Sequence, residues 1–393
     1  MSQAVARAIE IDPAPVENQR IAEAQRSADS ERLRRFGEAI DAIRRRAERS
    51  VGEADVRYLR RLDRFSHAME LAGRVLLHFS VEPLGFTAGV LALWVHKQLQ
   101  ATEIGHTALH GTYDGLPGAE RYDSKTFAWD LPIDEESWRA GHNIRHHQYT
   151  NIAGKDPDIH FGHVRLTEHT PWKPYNRWQL PMSLGLLFPN FGWMMNTHFT
   201  GLIDVYVGNG RGGHDFLPDR SRASIVAAHK KAFRKLVPYY AKNYLLYPLL
   251  AGPGFFKVLA GNWLAETIRD VYSAATIFCG HVGEDVAAYP EGTRAHGRGA
   301  WYAMQVEAAN NYEVSRPISV LCGGLDRQIE HHLFPKLPPN RLREIAPAVR
   351  AVCEAHGVRY NTASWGATLK KALARIAKLG RRGGVSAVAR EMM

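Results

Sequence analysis

The chain has 393 residues, 45% hydrophobic and 23% charged, with a formal net charge of +10 and a mean hydropathy of −0.30. That average argues against a chain dominated by apolar spans, and three cysteines with no CxxC pair exclude a disulfide framework or zinc knuckle. The excess lies in histidine, at 19 residues, the commonest metal ligand among side chains.

Residues 1–64 hold 14 arginines and 12 acids without an apolar run, so 1–60 is predicted to be a charged helical lead-in. From Ala68 to Val95 the chain is rich in Leu, Val and Phe, but its cleanest part, Pro83 to Val95, is 13 residues, short of the roughly 20 needed to cross a bilayer. Trp178 to Ile203 lacks Asp, Glu, Lys and Arg over 26 residues, interrupted by Pro181, Pro189 and Asn190, which suits a broken or interfacial helix. Leu236 to Phe256 and Val258 to Val282 form a second apolar pair turned at Pro253-Gly254. Together these predict an all-α integral membrane protein with about four membrane-embedded helices and a cytosolic helical cap, the body spanning 61–345.

Charge is uneven along the chain. Between Asp219 and Glu266 stand eight basic residues and no acid, among them Lys230, Lys231, Arg234 and Lys235. This stretch suits a cytosolic flank by the positive-inside bias and an anionic headgroup as ligand. The tail, 346–393, reads as a basic amphipathic helix, with Leu369, Leu373 and Ile376 at helical spacing among lysines, suited to a membrane surface. No nucleic-acid module is found. Gly208, Gly210 and Gly213 spell GxGxxG, but Pro218 follows and no acid occurs about 20 residues on, so dinucleotide binding is not expected.

Three histidine clusters carry the chemistry. His106 and His110 stand in GHTALHG, which puts two imidazoles on one helix face. In GHNIRHHQYTN, His142 and His146 share a face and His147 is turned about 100° away. Gln328, His331 and His332 stand in QIEHHLFP on one stripe. Imidazoles buried on apolar helices each carry a desolvation cost that metal coordination relieves for several at once. The number exceeds what one zinc takes, so two metals are implied, while imidazole leaves iron, zinc, copper and nickel open. HExxH is absent.

The ordered succession H-x3-H, HN-x2-HH followed by TN-x2-G-x-D-x-D, and Q-x2-HH-LFP resembles the membrane fatty acid desaturase family, in particular its bacterial branch acting on acyl-CoA or acyl-lipid. The likeness runs from about Glu53 to Tyr360. It implies a non-haem centre of two iron ions that uses O2 and two electrons to remove two hydrogens from an unactivated acyl chain. Carried onto this chain, the ligands are His106, His110, His142, His146, His147, His331 and His332, with His281 in IFCGHVGED as the eighth. Gln328 occupies a place where other branches have histidine, so it is expected to act through water or outside the ligand set. Thr107 replaces an Asp found after the first histidine in many relatives. No HPGG haem-binding sequence is present, so electrons are expected from a separate ferredoxin or cytochrome with its NAD(P)H reductase. The implied location is a membrane, the bacterial inner membrane by the branch, with the site on its cytosolic side.

A ligating imidazole usually donates its other N–H to a carboxylate or carbonyl. Asp156, Asp158, Asp285 and Glu330 are candidates by proximity in sequence, and Trp129, Trp138 and Trp301 are candidate walls for an acyl tunnel. His160, His163, His169, His198, His214 and His296 fall outside the motifs and are expected at the surface or in loops. Two rivals remain at this stage: a lipid hydroxylase, since the same oxidant can return oxygen to the carbon, and a non-catalytic metal-binding membrane protein.

Overall fold

The computed structural model describes residues 14–162, 164–208 and 215–383. It is mostly helical. Helix α1 (Ala14–Ser50) packs Phe36, Ile40 and Ala47 against α7 (Arg298–Glu307) and α9 (Pro339–Ala355). The charged lead-in thus ends inside the core, because its apolar residues recur at helical spacing between exposed i, i+4 ion pairs such as Arg34–Glu38.

Helices α2 (Glu53–Phe79) and α3 (Pro83–Leu99) form an antiparallel hairpin. Pro83 opens α3, and Glu82 caps it by accepting the N–H groups of Leu84 and Gly85 at 2.6 and 2.7 Å. Gly73 and Gly89 let the two backbones meet: a Cβ on Gly73 would lie 2.9 Å from Leu93 N and 3.0 Å from Gly89 O. Helix α3 does not stop at Leu99 but continues as a π-helix over Gln100–His106, so the hairpin's second arm carries the first histidine cluster directly.

The segment Trp178 to Ile203 is broken as its prolines predict, into short pieces that include α4 (Phe191–Phe199). Helices α5 (Arg222–Ala241) and α6 (Phe255–His281) flank the predicted turn, with a π segment over Lys242–Leu246 and a short helix Tyr247–Leu250 between them. Among the described residues no helix is long and apolar enough to cross a membrane; α6, for one, carries Lys257, Glu266, Arg269 and Asp270. The last two acids and bases are matched internally, Arg269 with Glu266 and Asp270, and Glu266 with Lys97 at 2.8 Å.

Beyond α7, strand β1 (Asn311–Glu313) pairs in parallel with β2 (Thr362–Ser364), and α8 (Gln328–Leu333) carries the third cluster. The tail helix α10 (Trp365–Leu379) is amphipathic but not free for a membrane surface. Ala372 and Ile376 join the central core, while Lys371, Arg375 and Lys378 pair with Asp285, Glu168 and Glu284. Acids from distant loops thus meet three of the four basic side chains on this helix.

Candidate metal centre

Four elements deliver the histidines to one place. His106 ends the π segment of α3 and His110 follows one turn later. His142 and His146 sit in a second π segment, Arg139–His146, with His147 just after it. His281 is the last residue of α6, and His331 and His332 lie on α8. Ligand-capable atoms of His106, His110, His142 and His331 all lie within 4.8 Å of one another, and those of His146, His281 and His332 do the same. His147 stands between the groups, its Nε2 3.2 Å from His142 Nε2 and its ring stacked on His332 at 4.4 Å. The Nε2 atoms of His106 and His110 are 3.2 Å apart, and those of His281 and His332 3.1 Å.

Two observations test whether a metal suits these residues. His146 Nε2 and His331 Nε2 are buried with no hydrogen-bond partner among the described residues, a deficit that a bound cation would relieve. Burial, reinforced by neighbouring imidazoles, also holds His142, His147, His331 and His332 well below the ordinary histidine range, so their lone pairs stay available. His146 differs: burial opposes its charge, yet Asp156 and Asp158 outweigh burial and raise it to about 9. An all-nitrogen donor set in two groups fits two transition-metal ions.

Of the expected supporting carboxylates, two are in place. Asp156 is fully buried and accepts His146 Nδ1–H at 3.0 Å, together with the N–H groups of Asn151 and Asp158 at 2.7 and 2.9 Å. Asp158 Oδ2 lies 3.6 and 3.7 Å from Nδ1 of His146 and His142; burial and the neighbouring acids push it up to about 7, against the pull of His146. The other two face elsewhere. Glu330 accepts from Asn311 Nδ2 and Tyr360 OH, both at 2.8 Å, because the residue before His331 is turned about 100° around the helix. Asp285 lies beyond the end of α6 and takes Lys371 and Asn310.

Gln328 is nearer than a water-mediated role implies, its amide nitrogen 2.6 Å from His281 Nε2. Thr107 spends its hydroxyl on the carbonyl of Glu103 at 2.6 Å, so it supplies no carboxylate substitute. Sequence reasoning missed Gln305 and Thr150, whose oxygens surround His332 Nδ1 at 3.1 and 3.0 Å. Thr150 is marked only by following the second cluster, and Gln305, on α7, by nothing local. His160 and His198 are both 2% exposed; His160 lies in a loop as expected, whereas His198 is buried within α4. His296 is exposed and His169 half-buried, while His163, His214, Gly210 and Gly213 lie outside the described residues.

A narrow cavity of about 70 Å³ reaches His106, His142, His146 and His281. Its wall is apolar, built by Trp129, Leu131, Ile133, Trp138, Phe191 and Met195, and Trp138 stacks on His142 at 4.4 Å. Trp301 is not part of it; its Nε1–H donates to Gln148 O at 3.4 Å. Of the four basic residues assigned to a headgroup, Arg234 pairs with Asp134 at 2.5 Å and Lys235 with Glu135, whereas Lys230 and Lys231 are exposed.

The fatty acid desaturase family model matches residues 82–364. An NADPH-dependent stearoyl-CoA 9-desaturase of Mycobacterium tuberculosis is 35% identical over 341 residues, covering 86% of this chain and 78% of that protein. An sn-1 linoleoyl-lipid 6-desaturase of Synechocystis is 27% identical over 276 residues, 69% of this chain and 74% of that one.

Proposed function

The chain belongs to the fatty acid desaturase family and is an oxidoreductase acting on fatty acyl chains, and from that premise we propose that it introduces a double bond at a two-iron centre held by His106, His110, His142, His146, His147, His281, His331 and His332. The supporting observation is the apolar cavity that ends on both histidine groups. Iron, when bound, supplies the oxidising power of O2 with two external electrons. The protein's own part is placement. Trp129, Trp138 and Phe191 exclude water and hold one acyl C–C bond beside the imidazoles, and Asp156 fixes the tautomer of His146 so that Nε2 points at the metal.

The membrane reading rests on exposed apolar residues at the ends of both hairpins: Leu71, Phe79, Val81 and Leu84 on one, Leu249, Leu250 and Phe256 on the other. Exposed apolar side chains gathered at hairpin ends suit a lipid contact. The hairpins enter the bilayer from a cytosolic cap that carries the histidines. Helix α3 continues as one rod through its π segment, which joins the embedded arm to the cap and carries His106. The Mycobacterium tuberculosis relative is NADPH-dependent by name, which supports a separate donor protein reduced by NADPH. Lys230 and Lys231 remain the residues available for an anionic acyl carrier.

Expression in a host lacking the activity, followed by lipid mass spectrometry with double-bond localisation, tests this reading. The expected product is lighter by two hydrogens and disappears in His332→Ala, which also loses iron. A product heavier by one oxygen would make the protein a hydroxylase instead, and two irons per chain in His332→Ala would overturn the ligand assignment.

A further inference from the structure

A second group of metal-capable side chains lies outside the eight-histidine cluster. His67 and Glu70 on α2 and His96 on α3 offer ligand atoms within 4.8 Å of one another. His96 is ten residues before His106 on one helix, so the two groups are about 15 Å apart along its axis. His67 is half-exposed and His96 is 1% exposed.

The hydrogen bonds define where the lone pairs point. His96 Nδ1 lies 3.1 Å from the carbonyl of Ser66 and 2.9 Å from its hydroxyl. A neutral ring that donates Nδ1–H to that carbonyl keeps its lone pair on Nε2, the second bond that metal-binding histidines use to fix their tautomer. That Nε2 faces Glu70 Oε2 at 3.5 Å and Asp130 Oδ2 at 3.7 Å. Glu70 Oε2 is also 3.5 Å from His67 Nδ1. The remaining carboxylate oxygens are already engaged, Glu70 Oε1 facing Arg74 at 3.5 Å and Asp130 Oδ1 holding Lys242 at 2.8 Å. Each acid therefore gives one oxygen to a cationic side chain and turns the other toward the imidazoles.

A lone pair facing two carboxylate oxygens is repulsive unless a cation lies between them. The 3.5 Å from Glu70 Oε2 to each of His96 Nε2 and His67 Nδ1 is close to the edge of a tetrahedron, roughly 3.3 Å for ligands about 2.0–2.1 Å from zinc. We propose that His67 Nδ1, Glu70 Oε2 and His96 Nε2 form a site for one divalent transition-metal ion, zinc by its donor set, distinct from the eight-histidine cluster. His67 Nε2 is left to Asp63 Oδ1 at 3.5 Å, with Arg121 3.4 Å away. The ion ties α2 to α3 beside the arm that carries the first histidine cluster.

The rival is a metal-free network in which Arg74, Arg121, Lys242 and a His96 imidazolium balance the acids. Zinc titration of the iron-loaded, full-length protein against a competing chelator separates the two. The expected result is one equivalent of zinc beyond the iron, with affinity in His67→Asn and Glu70→Gln reduced by more than the roughly 100-fold that an outer contact costs, and iron content unchanged. Co2+ in place of zinc should give tetrahedral visible bands in the parent chain and none in the variants. The extra equivalent should persist in His332→Ala. No uptake by the parent chain, equal uptake by the variants, or loss of the extra equivalent in His332→Ala would each overturn the site.

Discussion

Asp156→Asn is the sharpest test of how the centre is supported. The carboxylate is fully buried, and both oxygens are committed: Oδ1 to His146 Nδ1–H and the Asp158 N–H, Oδ2 to the Asn151 N–H and, at 3.1 Å, to the same imidazole. Asparagine keeps the shape but exchanges one acceptor for an NH2 donor. Whichever way the amide turns, that NH2 meets a backbone N–H, at Asp158 or at Asn151, and one buried donor is left without a partner, costing about 1–3 kcal/mol of stability. The metal effect is separate. Loss of an orienting carboxylate typically weakens binding 10–100-fold, or about 1.4–2.7 kcal/mol, and should fall on the group formed by His146, His281 and His332. Chelator competition on the iron-loaded protein, with a melting scan in parallel, reads both quantities. Equal affinity of both ions before and after substitution would refute the argument that Asp156 holds His146 for a metal.

Gly105→Ala should lower stability by about 1–3 kcal/mol and reduce product formation with iron retained, because the new Cβ would stand 2.0 Å from Trp129 Nε1 and 2.4 Å from the Gln100 carbonyl; a melting scan and product assay check it. Lys230→Gln with Lys231→Gln should raise the apparent KM for acyl-CoA at low salt and leave the melting temperature unchanged, whereas Arg234→Gln and Lys235→Gln should lower melting, since these two hold Asp134 and Glu135. Asp55 is held below the usual carboxylate range, burial opposing but Arg341 and Asn340 outweighing it. A lowered folded value means its stabilisation is present above the unfolded value of about 3.9 and lost as pH falls through the folded one. The stability gap between the parent chain and Asp55→Asn, measured by denaturant titration, should therefore be full at pH 7 and shrink below about pH 4.

Which parts of this were legible beforehand follows from the range of the interactions. The first histidine cluster could be read because covalent spacing along a helix places His106 with His110 before any tertiary contact forms, and the adjacent His331 and His332 could be read as reaching two different groups because one step turns about 100°. Asp156 was legible for the same reason, ten residues from the imidazole it holds. Glu330 and Asp285 misled because adjacency in sequence is not adjacency in space: one helical step turns a side chain away. Gln305, the burial of His160 and His198, and the acids that meet Lys371 and Lys378 depend on chain segments distant in sequence. Local pattern carries no trace of them. The net charge of the stretch after Asp219 was likewise correct as a count and incomplete as a field, since Asp134 and Glu135 neutralise two of its members.

The π-helical segment that ends α3 has a consequence of phase. A π turn holds about one more residue than an α turn, so Gln100–His106 rotates everything after it relative to the hairpin arm below. Substitution cannot alter that rotation; only insertion or deletion can, and one residue is worth about 100°. The rod from Glu82 to His110 thus behaves like a key whose bow and bit are cut at a set angle. Exposed positions of its lower half can change in composition provided the residue count is kept, because a single deletion would turn the first cluster away from the other two.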